Sequence, residues 1–302
     1  CEEGYVEARP RSGYFVLYRP EEYWQAAPAE EELSPLPAPR PLLQDAFPFS
    51  VLAKAMRRVL STMGEQLLQK SPNWGCPVLR SAIAAYLARS RSIFVRAAQI
   101  VIGSGAEYLY SLIAQLLSRE RIYGLESPSY EKIRRVYEAL GVTCDPLKLG
   151  GDGIRSTELA RTHASVLHVT PFCSFPSGVT ASASKRWQYL HWAEAREGFL
   201  IEDDFSSEFS LSSKSEDTLF SLAQQQRVIY LNTFSKTIAP SLRIGYMVLP
   251  ENLLLPFQQR LGFYSCTVPT FEQYVLADLL NSGDFERHIN RIRRKKRQQK
   301  EE

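Results

Sequence analysis

Three stretches of the chain carry residue types that could do chemistry together. The first is Gly103-Ser104-Gly105-Ala106-Glu107-Tyr108, which follows the apolar run Gln99-Ile100-Val101-Ile102. A strand that passes through a small-residue turn into a helix leaves free backbone N–H groups at the helix start, an arrangement that suits a phosphate. The dinucleotide-binding pattern would want glycine where Tyr108 stands, which disfavours NAD. The same residues would also serve as a tight structural turn. The second stretch is Phe199-Leu200-Ile201-Glu202-Asp203-Asp204. Acids at the carboxyl end of an apolar strand project into the crevice where α/β proteins take their ligands. A solvated strand end would look alike, and no histidine is near enough in sequence to suggest a metal.

The third stretch is Val228-Ile229-Tyr230-Leu231-Asn232-Thr233-Phe234-Ser235-Lys236-Thr237. Lys236 follows a buried-looking strand in a hydroxyl-rich turn. A lysine kept from water loses basicity and becomes a nucleophile able to form a Schiff base, although most lysines only solvate a surface. Arg243 follows seven residues later, and an arginine fork beside Ser235 suits a phosphate. Taken together, the three stretches supply a phosphate-cradling turn, an acid after one strand, a lysine after a later strand and an arginine. Pyridoxal 5'-phosphate needs that set: a lysine for its aldehyde, a carboxylate to keep its pyridine ring protonated, and an anion site.

These residues require a scaffold of alternating strands and helices. Helical spacing predicts helices near 49–69, 77–90 and 106–118, and strand-like runs occur at 99–102, 121–125, 165–169, 199–203, 228–232 and 244–249. Near-continuously apolar strands that alternate with helices indicate an α/β fold with a mainly parallel sheet flanked by helices. Upstream, Tyr5–Arg9 and Tyr14–Tyr18 flank Pro10-Arg11-Ser12-Gly13 and read as a β-hairpin with Arg9 and Arg11 at its tip. Between Pro20 and Pro41 stand six prolines and five glutamates, the composition of an extended linker.

Composition narrows the function classes. The chain has 302 residues and a net charge of +3. Residues 285–302 alone hold eight Lys/Arg and three Glu, so the remainder is slightly acidic. The chain therefore lacks a protein-wide basic surface for nucleic acid. The apolar positions Phe285, Ile289 and Ile292 have helical spacing, so this tail reads as a helix with a solvated basic face. His288 reads as a helix-surface residue, and His163, His168 and His191 have no partners at catalytic spacing. Five scattered cysteines indicate free thiols in a reducing cytoplasm rather than a disulfide framework or a zinc site. No apolar run approaches the roughly 20 residues of a membrane span, and no signal peptide opens the chain. A first residue other than methionine suggests a fragment.

Residues 46–284 resemble the pyridoxal-phosphate-binding domain of the aspartate aminotransferase superfamily, most closely the MocR-type branch of the GntR transcription regulators, in which a winged helix is fused to such a domain. The resemblance is carried by Glu202-Asp203-Asp204-Phe205-Ser206-Ser207-Glu208-Phe209 and Thr233-Phe234-Ser235-Lys236-Thr237-Ile238-Ala239-Pro240-Ser241-Leu242-Arg243-Ile244-Gly245-Tyr246. Thr170-Pro171, Phe175-Pro176-Ser177-Gly178 and Glu126-Ser127-Pro128-Ser129-Tyr130 add to it. Residues 1–18 look like the wing hairpin that ends the winged helix, 19–45 like the family's linker, and 285–302 like the start of a helix leading to a small domain. By this resemblance Lys236 would form the Schiff base and Asp203 would pair with the pyridine nitrogen. Ser104, Gly105, Ala106 and Glu107 would hold the phosphate by backbone amides, helped by Thr233, Ser235 and Arg243, and Tyr130 would lie against the ring.

The chain departs from the family pattern at several points. Phe205 stands where tyrosine is usual, Ala106 replaces Ser or Thr, and Phe172-Cys173-Ser174 replaces a more polar run. Lys70 falls near where a tyrosine of the partner subunit usually reaches the phosphate. The expected function is a cytoplasmic, homodimeric transcription regulator that senses pyridoxal phosphate or its adduct with an amine or amino acid, with Arg9 and Arg11 touching DNA in the full protein. The alternatives are a catalytic aminotransferase and a dimerisation scaffold whose cofactor site has decayed.

Overall fold

The computed structural model describes residues 6–16, 46–205, 208, 216–223 and 227–301. The expected linker, and Ser206, Ser207 and Phe209 of the acidic motif, lie outside them. The chain divides into two compact units, residues 1–43 and 44–302. In the first, β1 (Val6–Arg9) and β2 (Gly13–Val16) form the antiparallel hairpin that the sequence predicts, with Arg9 opposite Gly13. Arg11 takes φ 65° at the tip.

The second unit is built on an eight-stranded sheet. Its strands are β3 (Ile100–Gly103), β4 (Tyr123–Ser127), β5 (Cys144–Gly150), β6 (Gly153–Ile154), β7 (Val166–Val169), β8 (Phe199–Asp203), β9 (Val228–Thr233) and β10 (Gly245–Val248). Their spatial order is β3-β10-β9-β8-β7-β4-β5-β6. Strands β4, β5, β7, β8 and β9 run parallel, β3 shares their direction, and β10 and β6 are reversed. The sheet is thus mainly parallel, as its apolar runs require.

The helices are α1 (Phe49–Met63), α2 (Pro77–Arg91), α3 (Ala106–Leu117), α4 (Glu131–Ala139), α5 (Ser156–Arg161), α6 (Ala183–Ala195), α7 (Leu219–Leu222), α8 (Glu251–Leu261), α9 (Thr270–Asn281) and α10 (Asp284–Glu301). The helix expected over 49–69 stops at Gly64, whose φ of 49° and ψ of −131° leave the helical region, and a 3-10 turn continues to Leu68. Strands β5 and β6 escaped the sequence reading. Pro146 and an alternation of polar and apolar residues weaken the signal of β5. Its place beside the two-residue β6, close to the sheet margin, tolerates both.

Each sheet face buries its own core. Alternate strand residues such as Ile100, Leu167, Leu200 and Tyr230 pack with α1, α2, α6, α9 and the start of α10. The intervening ones, Val101, Val166, Ile201 and Leu231, pack with α3, α4 and α8. The period of two along each strand assigns every residue to one face. The basic tail is the helix expected of it, with Phe285, Ile289 and Ile292 buried. His288 corrects the sequence reading. It is buried rather than on the surface, because it shares the i, i+3, i+4, i+7 stripe of those three residues. Its Nε2 lies 3.0 Å from the Thr237 carbonyl and its Nδ1 3.1 Å from the Arg291 guanidinium. Among the described residues, no helix is long and apolar enough to cross a membrane.

Candidate functional site

The reversed strand assembles the site. Gly245, the first residue of β10, pairs with Gly103 on one side and Thr233 on the other. The last residues of two forward strands and the first of a reversed one therefore stand in one row. Arg243, two residues before Gly245, arrives at the same sheet edge as the Gly103–Ala106 turn and the Lys236 turn. Asp203 ends β8 opposite Leu231, two residues before Thr233. The structure thus brings Asp203, Lys236, Arg243 and the 103–107 turn to one edge, although they span residues 103 to 243 of the chain.

At the turn, Gly105 has φ 92°, and a Cβ there would lie 2.8 Å from Arg243 Nη2. Glycine lets the guanidinium sit directly on the backbone. The Ser104 amide donates to Thr267 Oγ1 at 3.1 Å and the Gly105 amide to the Gly103 carbonyl at 2.8 Å. Ala106 and Glu107 open α3, where amides have no acceptor within the helix. The Glu107 carboxylate holds two cations at the mouth of the turn, Arg243 at 3.3 Å and Lys132 at 2.9 Å. An anion entering here meets two free-standing amides and an arginine that it must share with Glu107.

Lys236 lies in the turn after β9, with its ammonium 4.7 Å from the centre of the Phe205 ring. Loss of water around it lowers its pKa, helped by Lys296, against the opposing influence of Cys173 and Glu208. Beside it, Thr233 Oγ1 donates to the Ile244 carbonyl and accepts from the Ser235 amide, and Ser235 Oγ donates to the Leu242 carbonyl. These bonds tie the lysine turn to the strand that brings in Arg243. Tyr130, before α4, is partly exposed, with its ring edge-on to Phe175 at 6.2 Å.

Asp203 is almost fully buried. One carboxylate oxygen, Oδ2, accepts a short bond from Tyr110 OH and faces His168 Nε2 at 3.4 Å, while Oδ1 is buried without a hydrogen-bond partner. His168 is buried beside it, with Nδ1 2.9 Å from Tyr137 OH and Nε2 3.4 Å from Asp203 Oδ2, a contact that makes no hydrogen bond. Neither Tyr110 nor Tyr137 carries a sequence signal beyond an apolar helix position.

A second polar layer lies behind the site, on the other face of the sheet. Arg91 of α2 donates to Asp204 at 2.8 Å, and Tyr230 OH donates to the same oxygen at 2.8 Å. Asn232 donates to Glu208 at 2.7 Å, and Arg293 of α10 donates to the Glu208 carbonyl at 2.7 Å. Nearer β4, Ser174 Oγ donates to Glu126 Oε2 at 2.6 Å. Burial pushes the Glu126 carboxyl up to about 7, with the charge of Asp203 adding to it against the hydrogen bonds of Ser174 and Thr170.

The raised carboxyl has a consequence for stability. An acid whose folded pKa exceeds its unfolded value binds its proton more tightly when folded, so the stability it confers is full at low pH and is lost as pH rises. The wild-type chain is therefore expected to lose roughly 3 kcal/mol relative to Glu126→Gln between about pH 4.5 and 7. Urea unfolding of both proteins across that range measures the difference, and parallel curves would contradict it.

Residues 41–302 match the family model for aminotransferase class I and II. The chain is 32% identical to the uncharacterized HTH-type transcriptional regulator YdeL of Bacillus subtilis, over 98% of this chain and 66% of that protein. It is 33% identical to the HTH-type pyridoxine biosynthesis transcriptional regulator PdxR of Corynebacterium glutamicum, over 74% of this chain and 49% of that protein. The chain thus spans between about half and two thirds of these relatives. Among solved structures, LysN, the alpha-aminoadipate aminotransferase of Thermus thermophilus, complexed with N-(5'-phosphopyridoxyl)-L-leucine, superposes with a TM-score of 0.72 at 28% identity, over 82% of this chain and 64% of that one. With the sheet order, the lysine turn and the matched residues in agreement, this chain belongs to the aminotransferase class I and II family.

Proposed function

We propose that this chain is the effector-sensing part of a cytoplasmic, homodimeric transcription regulator, that it holds pyridoxal 5'-phosphate on Lys236, and that it responds to the cofactor or its adduct with an amine or amino acid. One observation carries the cofactor reading. The buried, unpartnered Asp203 Oδ1 stands at the same sheet edge as a lysine kept from water and a helix start flanked by arginine. When bound, the cofactor supplies an aldehyde that condenses with amines and a protonated ring that withdraws electrons.

The residues fit that group. Lys236 Nζ is the nucleophile, and its lowered basicity raises the fraction able to attack at neutral pH. Asp203 Oδ1 is the acceptor for a ring N–H, because the other oxygen is already engaged by Tyr110. The Ala106 and Glu107 amides and Arg243 take the phosphate, while Ser104, Gly105, Thr233 and Ser235 shape the turns that present them. Tyr130 closes the open side of the ring.

The names of YdeL and PdxR, both HTH-type regulators and one of them of pyridoxine biosynthesis, support regulation over turnover. The β1–β2 hairpin supports it as well. In this reading Arg9 and Arg11 meet DNA backbone or minor groove. Arg9 is already braced by Glu7 at 3.1 Å and by the Phe15 ring at 4.8 Å, which leaves Arg11 as the freer contact. The second reading, a catalytic aminotransferase, is favoured by the likeness to LysN.

A visible-absorbance titration of the protein with pyridoxal phosphate, followed by a panel of amino acids with oxo-acid release measured, separates the readings. Binding with a spectral response but at most one equivalent of oxo acid supports the sensor. Repeated turnover supports the enzyme. The absence of any visible band overturns the cofactor reading and leaves a scaffold.

A further inference from the structure

At the end of the sheet away from Lys236, a cavity of about 380 Å³ opens between α6 and the starts of β8 and β9. That volume lies in the range of small-molecule sites. Its floor includes Leu200 and Val228, both fully buried, at the beginnings of the two strands. Leu200 belongs to the core that faces α6, whereas Asp203 shares the opposite face with Ile201. Three residues, about 10 Å of strand, also separate Leu200 from Asp203. The cavity is therefore on a different face and at a different end from the cofactor site.

Helix geometry builds one wall. Trp187, Leu190, His191 and Glu194 recur at i, i+3, i+4 and i+7, so α6 presents them to the cavity as one stripe. The Trp187 and His191 rings lie 6.1 Å apart and 32° from parallel, which makes a nearly flat aromatic surface. Trp187 is 46% exposed, a large ring that the fold leaves uncovered on this wall. On the strand side, Arg227 precedes β9, and its backbone is fixed because its carbonyl accepts from the Leu200 amide at 2.9 Å.

The charges on the two sides are opposite in sign yet do not meet. Surface charges elsewhere in this chain pair readily, as Arg58 does with Asp278, Arg89 with Glu286 and Arg96 with Glu251. Among the described residues, neither Glu194 nor Arg227 makes an ion pair, although both line the same cavity. An anion and a cation held apart over an apolar floor match a ligand that carries both charges itself. An α-amino acid does. The guanidinium takes its carboxylate as a fork, and the Glu194 carboxylate takes its ammonium. Its side chain then rests on the aromatic wall and on Leu200 and Val228, where burying an apolar group is favourable and a third charge would be stranded.

We propose that this cavity is a second ligand site, which binds the zwitterion of an α-amino acid with an aliphatic or aromatic side chain, its carboxylate on Arg227 and its ammonium on Glu194. The proposal is independent of the cofactor reading, because it uses none of the residues at the Lys236 edge.

The test uses the full chain carrying Lys236→Ala, without pyridoxal phosphate, so that no amine is held through the lysine's cofactor chemistry. L-Phenylalanine and L-leucine are titrated by calorimetry beside phenethylamine, which lacks the carboxylate, and 3-phenylpropanoate, which lacks the ammonium. Expected is saturable binding of both amino acids, with affinity at least about tenfold lower for each phenylalanine analogue. Arg227→Gln should bring phenylalanine down to the level of phenethylamine, and Glu194→Gln to that of phenylpropanoate. Absence of binding at about 10 mM amino acid, equal affinities for phenylalanine and its two analogues, or full affinity in both variants overturns the proposal. The analogue series needs neither variant, so its outcome decides even where a substitution disturbs folding.

Discussion

Substituting Lys236 with alanine is expected to abolish the visible band that pyridoxal phosphate induces and to weaken binding by at least about 100-fold, roughly 2.7 kcal/mol. The argument starts from what the site retains without the lysine. Two helix-start amides and Arg243 still attract a phosphate, but Glu107 already holds that arginine at 3.3 Å and competes for it. Asp203 still offers an oxygen, but a single charge-assisted hydrogen bond contributes only about 1.5–3 kcal/mol. In the cofactor reading the covalent link is therefore the dominant attachment. Lys236→Arg provides the control, since it keeps a cation near the Phe205 ring yet cannot condense with an aldehyde. Both variants should lose the band, and borohydride reduction of the wild-type complex followed by peptide mass analysis should place the label on Lys236. A full-strength band in Lys236→Ala would move the nucleophile elsewhere. Phe205→Tyr, in the same experiment, asks whether a hydroxyl beside the lysine changes affinity, as the departure at that position implies.

The second large effect is expected in stability. Replacing Arg91 by methionine should cost about 3–5 kcal/mol, because it leaves Asp204 charged and buried without its cation. Arg91 and Asp204 are both buried, and their 2.8 Å contact joins α2 to the end of β8 across 113 residues. Tyr230 continues to donate to Asp204 but brings no positive charge. The double substitution Arg91→Met with Asp204→Asn removes both charges and should recover a large part of the loss, since a buried pair is worth little against a neutral replacement. Urea unfolding of the two single variants and the double variant gives the coupling energy. A single-variant loss below about 1 kcal/mol would show that water reaches Asp204. Because Asp204 lies between Asp203 and Phe205, Arg91→Met should weaken cofactor binding as well. His288 and Arg293 extend this layer, as they tie α10 to the Thr237 carbonyl and the Glu208 carbonyl. A change at the lysine turn therefore has a short, hydrogen-bonded route to the basic helix, the element that in the regulator reading leads away from this domain.

Much of this arrangement was legible in the sequence. Near-continuous apolar strands alternating with helices specified a mainly parallel sheet, because only a sheet covered on both faces buries such runs. Gly103-Ser104-Gly105, the acid after one strand and the lysine after another were legible as residues at element ends, because such positions are set by local sequence. The stripe Phe285, Ile289 and Ile292 marked the buried side of the last helix, yet His288 on that stripe was misassigned because its polarity outweighed its position.

Tertiary structure alone decided who meets whom. Periodicity assigns a residue to a face but does not name the element packed on it, so Tyr110 reaching Asp203 across 93 residues left no mark in the sequence. Nor did the meeting of Tyr137 with His168, which exists only because α4 packs over β7. The reversed β10 had the same status. Its direction follows from pairing with both β3 and β9, and that pairing sets Arg243 against Gly105 and its guanidinium against Glu107 across 136 residues. Local chemistry is written in the order of residues, but a carboxylate's charge and orientation depend on the burial and donors that distant segments supply, and those come into being only when the chain folds.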